Sequence, residues 1–328
     1  STVMLTHTQT GKAAACIVFC GFFSGPQAIA EQPSMPQDWI DRMGNAVQVT
    51  NYAGTVVRVR DGKVDTFKVV HTVTDGVVRE KVVIQDGNGL EIIRNGNEVH
   101  CILPDRESVL VEEWNNQSTL FSTLPSSDIR FGNEYDVLIK DFERVAGRKS
   151  AKLAILPHDN YRYGYRIWLD TETGFPLQTQ LIGDDNRPLE HVKFADISIE
   201  QDIRSSALVS SYSTDNWKWY AEPRLTINRE VQSEWVADEA PSGFRVVSTQ
   251  QKILPDVDDP LTHIVYSDGL ATVSVFISPV TDAKKPRRSS VGASNSYSTV
   301  IGEYRVTAVG QVPQVTVEQI AKSMRQSQ

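Results

Sequence analysis

At 328 residues the chain is longer than one ordinary domain and suits two. Hydrophobic residues at 40% and charged residues at 23% exclude a disordered or membrane-embedded chain. The formal net charge of -8 argues against nucleic acid as a partner, because that needs a concentrated basic surface to displace phosphate counterions.

Residues 1–30 read as an export signal. Lys12 precedes the apolar run Ala13–Phe23, then a Ser24-Gly25-Pro26 break and the A-x-A pattern Ala28-Ile29-Ala30. The run is shorter than the roughly 20 residues of a spanning helix, so cleavage after Ala30 is expected. Cys16 and Cys20 leave with the signal. The remaining Cys101 cannot form an internal disulfide and reads as a packed core thiol.

Gln37–Val49 carries Trp39, Ile40, Met43 and Val47 at helical spacing and predicts one amphipathic helix. From Tyr52 the period becomes two. Thr55–Arg60, Thr66–Thr72, Val77–Gln85, Leu90–Arg94 and Val99–Leu103 are punctuated by Asp61-Gly62, Asp75-Gly76, Asp86-Gly87 and Asn95-Gly96. Such pairs favour hairpins, since a type I′ turn needs φ > 0 at both central positions. The result is an antiparallel meander, and a parallel α/β sheet is excluded. Ser118–Gly132 is aperiodic and reads as a loop or short helix. Strands resume over Asp136–Val145, Ala151–Leu156, Tyr163–Leu169, Leu177–Ile182 and Glu190–Ile199. So many strands in one sheet must curl, split or close. In Val78–Ile84, Val78, Val82 and Ile84 share an apolar face while Arg79, Lys81 and Val83 lie on the other. Periodicity leaves open whether the apolar face is filled by the chain's own helix or kept as a ligand cavity.

The serine-rich Ser205–Thr214, followed by Trp217, Trp219 and Tyr220, marks the domain boundary. The expected plan is a first domain over 31–204, a linker over 205–222 and a second domain over 223–328. The second has strands near Gly243–Ile253, Leu261–Tyr266, Leu270–Ile277, Ser298–Ile301 and Tyr304–Ala308. A helix over Val317–Met324 follows, with Thr316 as N-cap and Gln319 three residues on. Thr281–Ser296, nearly free of large apolar residues, is expected to be a mobile loop.

The sequence offers no catalytic or cofactor motif. His71, His100, His158, His191 and His263 form no metal-ligand spacing, and no nucleophile elbow or phosphate loop follows a strand. His100 and Cys101 point to opposite faces of one strand and make no dyad. Asp184-Asp185 and Asp258-Asp259 read as solvated turns. No catalytic residue, metal or cofactor is assigned, and the chain is expected to bind rather than transform. The cluster Lys284, Lys285, Arg287 and Arg288 is either a solvated loop or a contact for an anionic surface such as lipid headgroups. Tyr161-Arg162-Tyr163-Gly164-Tyr165-Arg166-Ile167-Trp168 is the most unusual strand. Alternation places Tyr161, Tyr163, Tyr165, Ile167 and Leu169 on one face and Arg162, Arg166 and Trp168 on the other. It is either a core strand whose phenols reach partners or the lining of a site for an amphipathic ligand.

At this strand the chain resembles a known family. Val145-Ala146-Gly147-Arg148 and Pro157-His158-Asp159-Asn160-Tyr161-Arg162-Tyr163-Gly164-Tyr165-Arg166-Ile167-Trp168-Leu169-Asp170 resemble the RseB/MucB family of periplasmic sigma-E regulators. Tyr266-Ser267-Asp268-Gly269-Leu270 through Ile277, Val309-Gly310-Gln311-Val312-Pro313 and Asn51-Tyr52-Ala53-Gly54-Thr55 are similar to further signatures, though a phenylalanine is commoner at Tyr52. The loop Thr281–Ser296 finds no match. The resemblance implies a mainly β fold: an N-terminal antiparallel open half-barrel like the lipoprotein carriers LolA and LolB, plus a smaller C-terminal antiparallel β domain with a C-terminal helix. It implies a periplasmic protein that binds the periplasmic region of an RseA/MucA-type anti-sigma factor. That partner is shielded from a DegS-type site-1 protease until lipid or lipopolysaccharide releases it. On this reading Tyr163, Tyr165 and Trp168 lie near the lipid cavity, and Trp217 and Trp219 at the domain junction near the partner. A lipid or lipoprotein carrier without an anti-sigma partner is the alternative, and self-association as a homodimer is left open.

Overall fold

The computed structural model describes residues 35–113, 133–199, 202–221, 227–230, 232–253, 261–280 and 285–327. The expected export signal, the aperiodic 118–132, Asp258-Asp259 and Lys284 lie outside the described residues.

Helix α1 (Pro36–Val49) starts on a proline whose missing N–H costs nothing in the first turn, with Asp38 facing the positive helix end. Its buried stripe is Trp39, Ile40, Met43 and Ala46. Full burial contributes about 1.5–3 kcal/mol for a side chain the size of Ile40 or Met43. Eleven strands follow: β1 (Tyr52–Arg60), β2 (Lys63–Thr74), β3 (Val77–Ile84), β4 (Glu91–Asn95), β5 (Glu98–Leu103), β6 (Ser108–Glu113), β7 (Tyr135–Val145), β8 (Arg148–Pro157), β9 (Gly164–Asp170), β10 (Pro176–Ile182) and β11 (Pro188–Ile199). With β12 (Lys218–Ala221) they form one sheet in the order β12-β6-β5-β4-β3-β2-β1-β11-β10-β9-β8-β7. The turns at Asp61-Gly62 and Asp75-Gly76 have positive φ at both positions, as a type I′ hairpin demands.

The sheet is open and curled. Among the described residues, strands β12 and β7 are its two edges and do not pair to close a barrel. Helix α1 nevertheless touches both β2 and β7. Those strands stand six places apart in the order, about 29 Å if the sheet were flat at ordinary strand spacing. A curl in the sheet brings both within easy reach of one helix. Gly54 serves the bend: a Cβ there would run into the Asp196 carbonyl, next to a β1–β11 register shift at Thr55/Val56.

The second module has β13 (Ile227–Glu230), β14 (Trp235–Ala237), β15 (Arg245–Ile253), β16 (Leu261–Ser267), β17 (Thr272–Pro279), β18 (Arg287–Val291), β19 (Ser294–Ile301), β20 (Tyr304–Gly310), α2 (Gln314–Ser323) and β21 (Met324–Gln326). Seven strands form a sheet in the order β13-β15-β16-β17-β20-β19-β18, and β14 pairs with β21. Val317, Ile320 and Ala321 of α2 pack with Ile264, Val273, Val275, Val306 and Ala308 into a separate core.

The strands over 52–199 pair antiparallel, as expected, and β12 from the linker region adds to the β6 edge in parallel. Two expectations are corrected. Thr281–Ser296 is not a mobile loop over its described part: β18 and β19 form a hairpin whose turn residue Ala293 is 4% exposed. Backbone pairing, together with burial carried by the neighbouring strand, replaces the missing apolar side chains. Helix α2 starts after Pro313, and Thr316 does not cap it; its hydroxyl donates to the Tyr161 carbonyl at 2.6 Å.

Candidate functional site

The concave face holds the first candidate surface. Trp39, Ile40 and Met43 of α1 meet Leu153, Tyr165, Ile167 and Leu169 from β8 and β9. Beyond them, Tyr52, Val56, Phe67, Val69, Val82 and Phe194 are buried, while Ile84, Ile92, Ile197 and Ile199 pack on them only partly buried. The helix therefore fills one part of the apolar face, and half-covered isoleucines line the rest. A buried polar pair is set into this face: His71 Nδ1 lies 2.8 Å from Glu80, and Tyr52 stacks on the imidazole at 4.9 Å. Burial, then the Glu80 charge, pushes the Tyr52 hydroxyl well above its ordinary pKa. His71 Nε2 is buried with no hydrogen-bond partner.

The three residues expected near a lipid cavity separate. Tyr165 is buried under α1, and burial raises its pKa. Trp168 lies on the other face of the strand, as alternation requires. It donates to Glu143 at 2.9 Å beneath the Lys152 ammonium. Hydrogen bonds from Lys152 and Trp168 hold the Glu143 carboxyl below the usual range. Tyr163 packs partly buried against the same α1-covered core and reaches the second module, where Asn295 Nδ2 donates to its hydroxyl at 3.1 Å.

The contact between modules is therefore made by the signature stretch itself. The Arg162 guanidinium is fully buried and donates to Asp268 at 2.6 Å, to Asp159 at 2.9 Å and to the Ser242 carbonyl at 2.6 Å. It lies over the rings of Tyr135 and Phe244 at 5.6 and 5.1 Å. Asp268 also accepts from the Tyr135 hydroxyl at 2.7 Å and from the backbone N–H groups of Leu270 and Ala271. Burial, then the Asp268 charge, raises the Tyr135 pKa. Sequence reasoning missed Arg162, Asp268 and Tyr135 as joint residues. The signal available was an arginine inside an aromatic strand and a Ser-Asp-Gly turn in the second domain.

The expected junction residues Trp217 and Trp219 are placed elsewhere. Lys81 and Ile93 alternate to the face opposite Val82 and Ile92. On that outer face Lys81 Nζ donates to the Val209 carbonyl and the Ser211 hydroxyl, both at 2.8 Å. Glu91, 1% exposed, accepts from Ser210 and the Ser211 N–H. Burial pushes Glu91 upward, but the Ser211 and Ser210 hydrogen bonds with the Lys81 charge outweigh it and leave its pKa lowered. Residues 205–221 are thus a strap clamped to the large sheet. Between strap and sheet lies a cleft of about 450 Å³, with Ile93, Ile102 and Leu208 as apolar wall and Arg79, His100 and Trp219 at its rim. Trp219 is 51% exposed and meets His100 edge-on at 5.2 Å, while Trp217 lies against Tyr212.

The basic residues Lys285, Arg287 and Arg288 lie at or just before β18, an edge strand whose five residues are all exposed. Arg288 pairs with Glu318 at 2.9 Å, which leaves less of its charge for an outside anion. Cys101 is half-buried, and burial with the Glu112 charge pushes its thiol up to about 11, away from reactivity. Among the described residues no group of three His, Cys, Asp or Glu side chains is placed to hold a metal.

Against known proteins, residues 35–212 match the family model of the MucB/RseB N-terminal domain and residues 229–325 that of the C-terminal domain. The sigma factor AlgU regulatory protein MucB of Pseudomonas aeruginosa is 30% identical over 310 residues, 90% of this chain and 92% of that protein. The sigma-E factor regulatory protein RseB of Haemophilus influenzae is 27% identical over 302 residues, 91% of this chain and 93% of its own length. A crystal structure of MucB in complex with MucA(peri) matches with a TM-score of 0.68 and 28% identity, over 90% of this chain and all of that one.

Proposed function

The chain belongs to the MucB/RseB family, and from that premise we propose that it is a periplasmic negative regulator of a sigma-E-type envelope stress response. It binds the periplasmic region of an RseA/MucA-type anti-sigma factor and protects that region from site-1 proteolysis. Lipid or lipopolysaccharide releases it. One observation carries the reading: both family domains match in order across 35–325, and the same chain matches MucB solved with MucA(peri) over nearly all of its length.

The proposed lipid seat is the concave face, where the isoleucines beyond α1 offer apolar surface. Residues 31–204 then form the sensing domain, 205–222 the connector and 223–328 the partner-binding domain. Tyr165 supports the seat from beneath α1, and Trp219 offers the exposed aromatic surface that partner interfaces favour. Linkage gives the physical logic: a ligand that prefers the partner-free state weakens partner binding by the factor the partner weakens its own. Switching from mostly bound to mostly free needs about 5 kcal/mol of differential affinity. Burying acyl chains at roughly 0.8 kcal/mol per CH₂ covers that before ordering costs. A carrier needs only the curled sheet. The second module, with its own seven-stranded sheet and core, has no task in that alternative.

A pull-down of the protein against the purified periplasmic segment of such an anti-sigma factor tests the reading. Retention, with slower cleavage of the segment by a DegS-type protease, is expected. Loss of both returns the protein to the carrier class.

A further inference from the structure

Arg162 reaches the second module from the same run of chain that carries Tyr165 under α1. The joint it makes there is built on both sides. Asp268 takes four donors, from Arg162, Tyr135, Leu270 and Ala271, and neither Arg162 nor Asp268 exposes its side chain. Two further bonds flank the pair along the strand: Thr316 to the Tyr161 carbonyl and Asn295 to the Tyr163 hydroxyl. Ala293 of the β18–β19 turn enters the core that α1 covers, with Leu270 partly buried against it. The packing under the helix is therefore continuous with the second module.

We infer that the Arg162–Asp268 pair is a positioning device: it fixes the second module against the strand that floors the α1-covered core, and so sets the geometry in which the partner is held. The affinity part of this inference rests on the function proposed above. A buried, fully bonded ion pair does little for net stability but strongly disfavours any arrangement that separates its members, since each charge is then left unpaired. The joint thus has one good geometry and no graded slippage. Movement of α1 on the concave face acts on Tyr165, three residues from Arg162, and on Ala293 across the joint.

Hydrogen exchange on the full chain, paired with titration of the anti-sigma periplasmic segment, tests this. Arg162→Ala is expected to speed exchange of amides in 161–165 and 267–271 by about tenfold or more, while β10 and β17 keep their protection. Affinity for the segment is expected to fall by about tenfold or more. Tyr135→Phe removes one donor to Asp268 and keeps the ring beneath Arg162, so both readouts should move the same way by about threefold. That variant carries the test if Arg162→Ala does not fold. Unchanged exchange in 267–271 overturns the joint, and faster exchange with unchanged affinity overturns its role in partner binding. If the wild-type chain does not bind the segment, the exchange arm still decides the joint, and only the functional reading fails.

Discussion

Two aromatic stretches, Tyr161–Tyr165 and Trp217–Tyr220, look alike in composition and end in opposite environments. The first threads from the joint into the core, with Arg162 and Tyr165 both buried. The second lies on the outer face of the large sheet, with Trp219 and Tyr220 about half exposed. The difference is made by distant partners. Asp268, Asn295 and Thr316 wait for the first stretch, whereas the second finds β6 for its backbone and little to cover its rings. Aromatic density marks a segment that does something; what the rest of the chain brings to it decides whether that is cohesion or contact.

The contrast can be broken most sharply by truncation. Tyr165→Ala should destabilise the fold by about 3–5 kcal/mol in urea unfolding, as expected for a large ring removed from a closed core. Trp219→Ala should cost less than about 1 kcal/mol in the same assay. Equal losses would remove the distinction. The order reverses in partner binding, where Trp219→Ala should weaken the anti-sigma segment by about tenfold, roughly 1.4 kcal/mol. An unchanged Kd there leaves the exposed aromatics without a partner role.

Acid sharpens the comparison further, because the strap is clamped by a carboxylate. The Glu91 pKa is lower folded than unfolded, so its stabilisation is present above the unfolded value and is lost as pH falls through the folded one. Cleavage within 205–214 by an acid-active protease should therefore accelerate as the pH drops below the ordinary carboxylate range. Glu91→Gln should show fast cleavage already at neutral pH, and a pH-independent cleavage rate would contradict the clamp. The smallest effect is expected at the β18 edge. Replacing Lys285, Arg287 and Arg288 by alanine should change stability by less than about 0.5 kcal/mol per site, since exposed ion pairs contribute little. Weaker binding to anionic vesicles by that variant would assign the cluster to a lipid surface.

Much of the fold was legible because its signals are local. Alternating valines and Asp-Gly turns specify β1 to β5, and the spacing of Trp39, Ile40 and Met43 specifies α1. What escaped depended on remote partners. Strand β12 exists because Lys218–Ala221 lie beside Ser108–Val111, a pairing across more than a hundred residues that no window contains. Arginine at 162 reads as the outward member of an alternating strand, and its acid lies 106 residues further on. Strand β18 lacks an apolar pattern because it is an exposed edge whose backbone pairs with β19. Thr316 resembled a helix cap, but its hydroxyl serves the other module.

Competition calorimetry puts the trade between guest and partner to the most direct test. The intact protein is titrated with the periplasmic segment of an RseA/MucA-type anti-sigma factor, with and without lipopolysaccharide. Saturable binding that weakens by about tenfold or more in the presence of lipopolysaccharide is the predicted result. Binding that lipopolysaccharide leaves unaltered, or no binding at all, would contradict it.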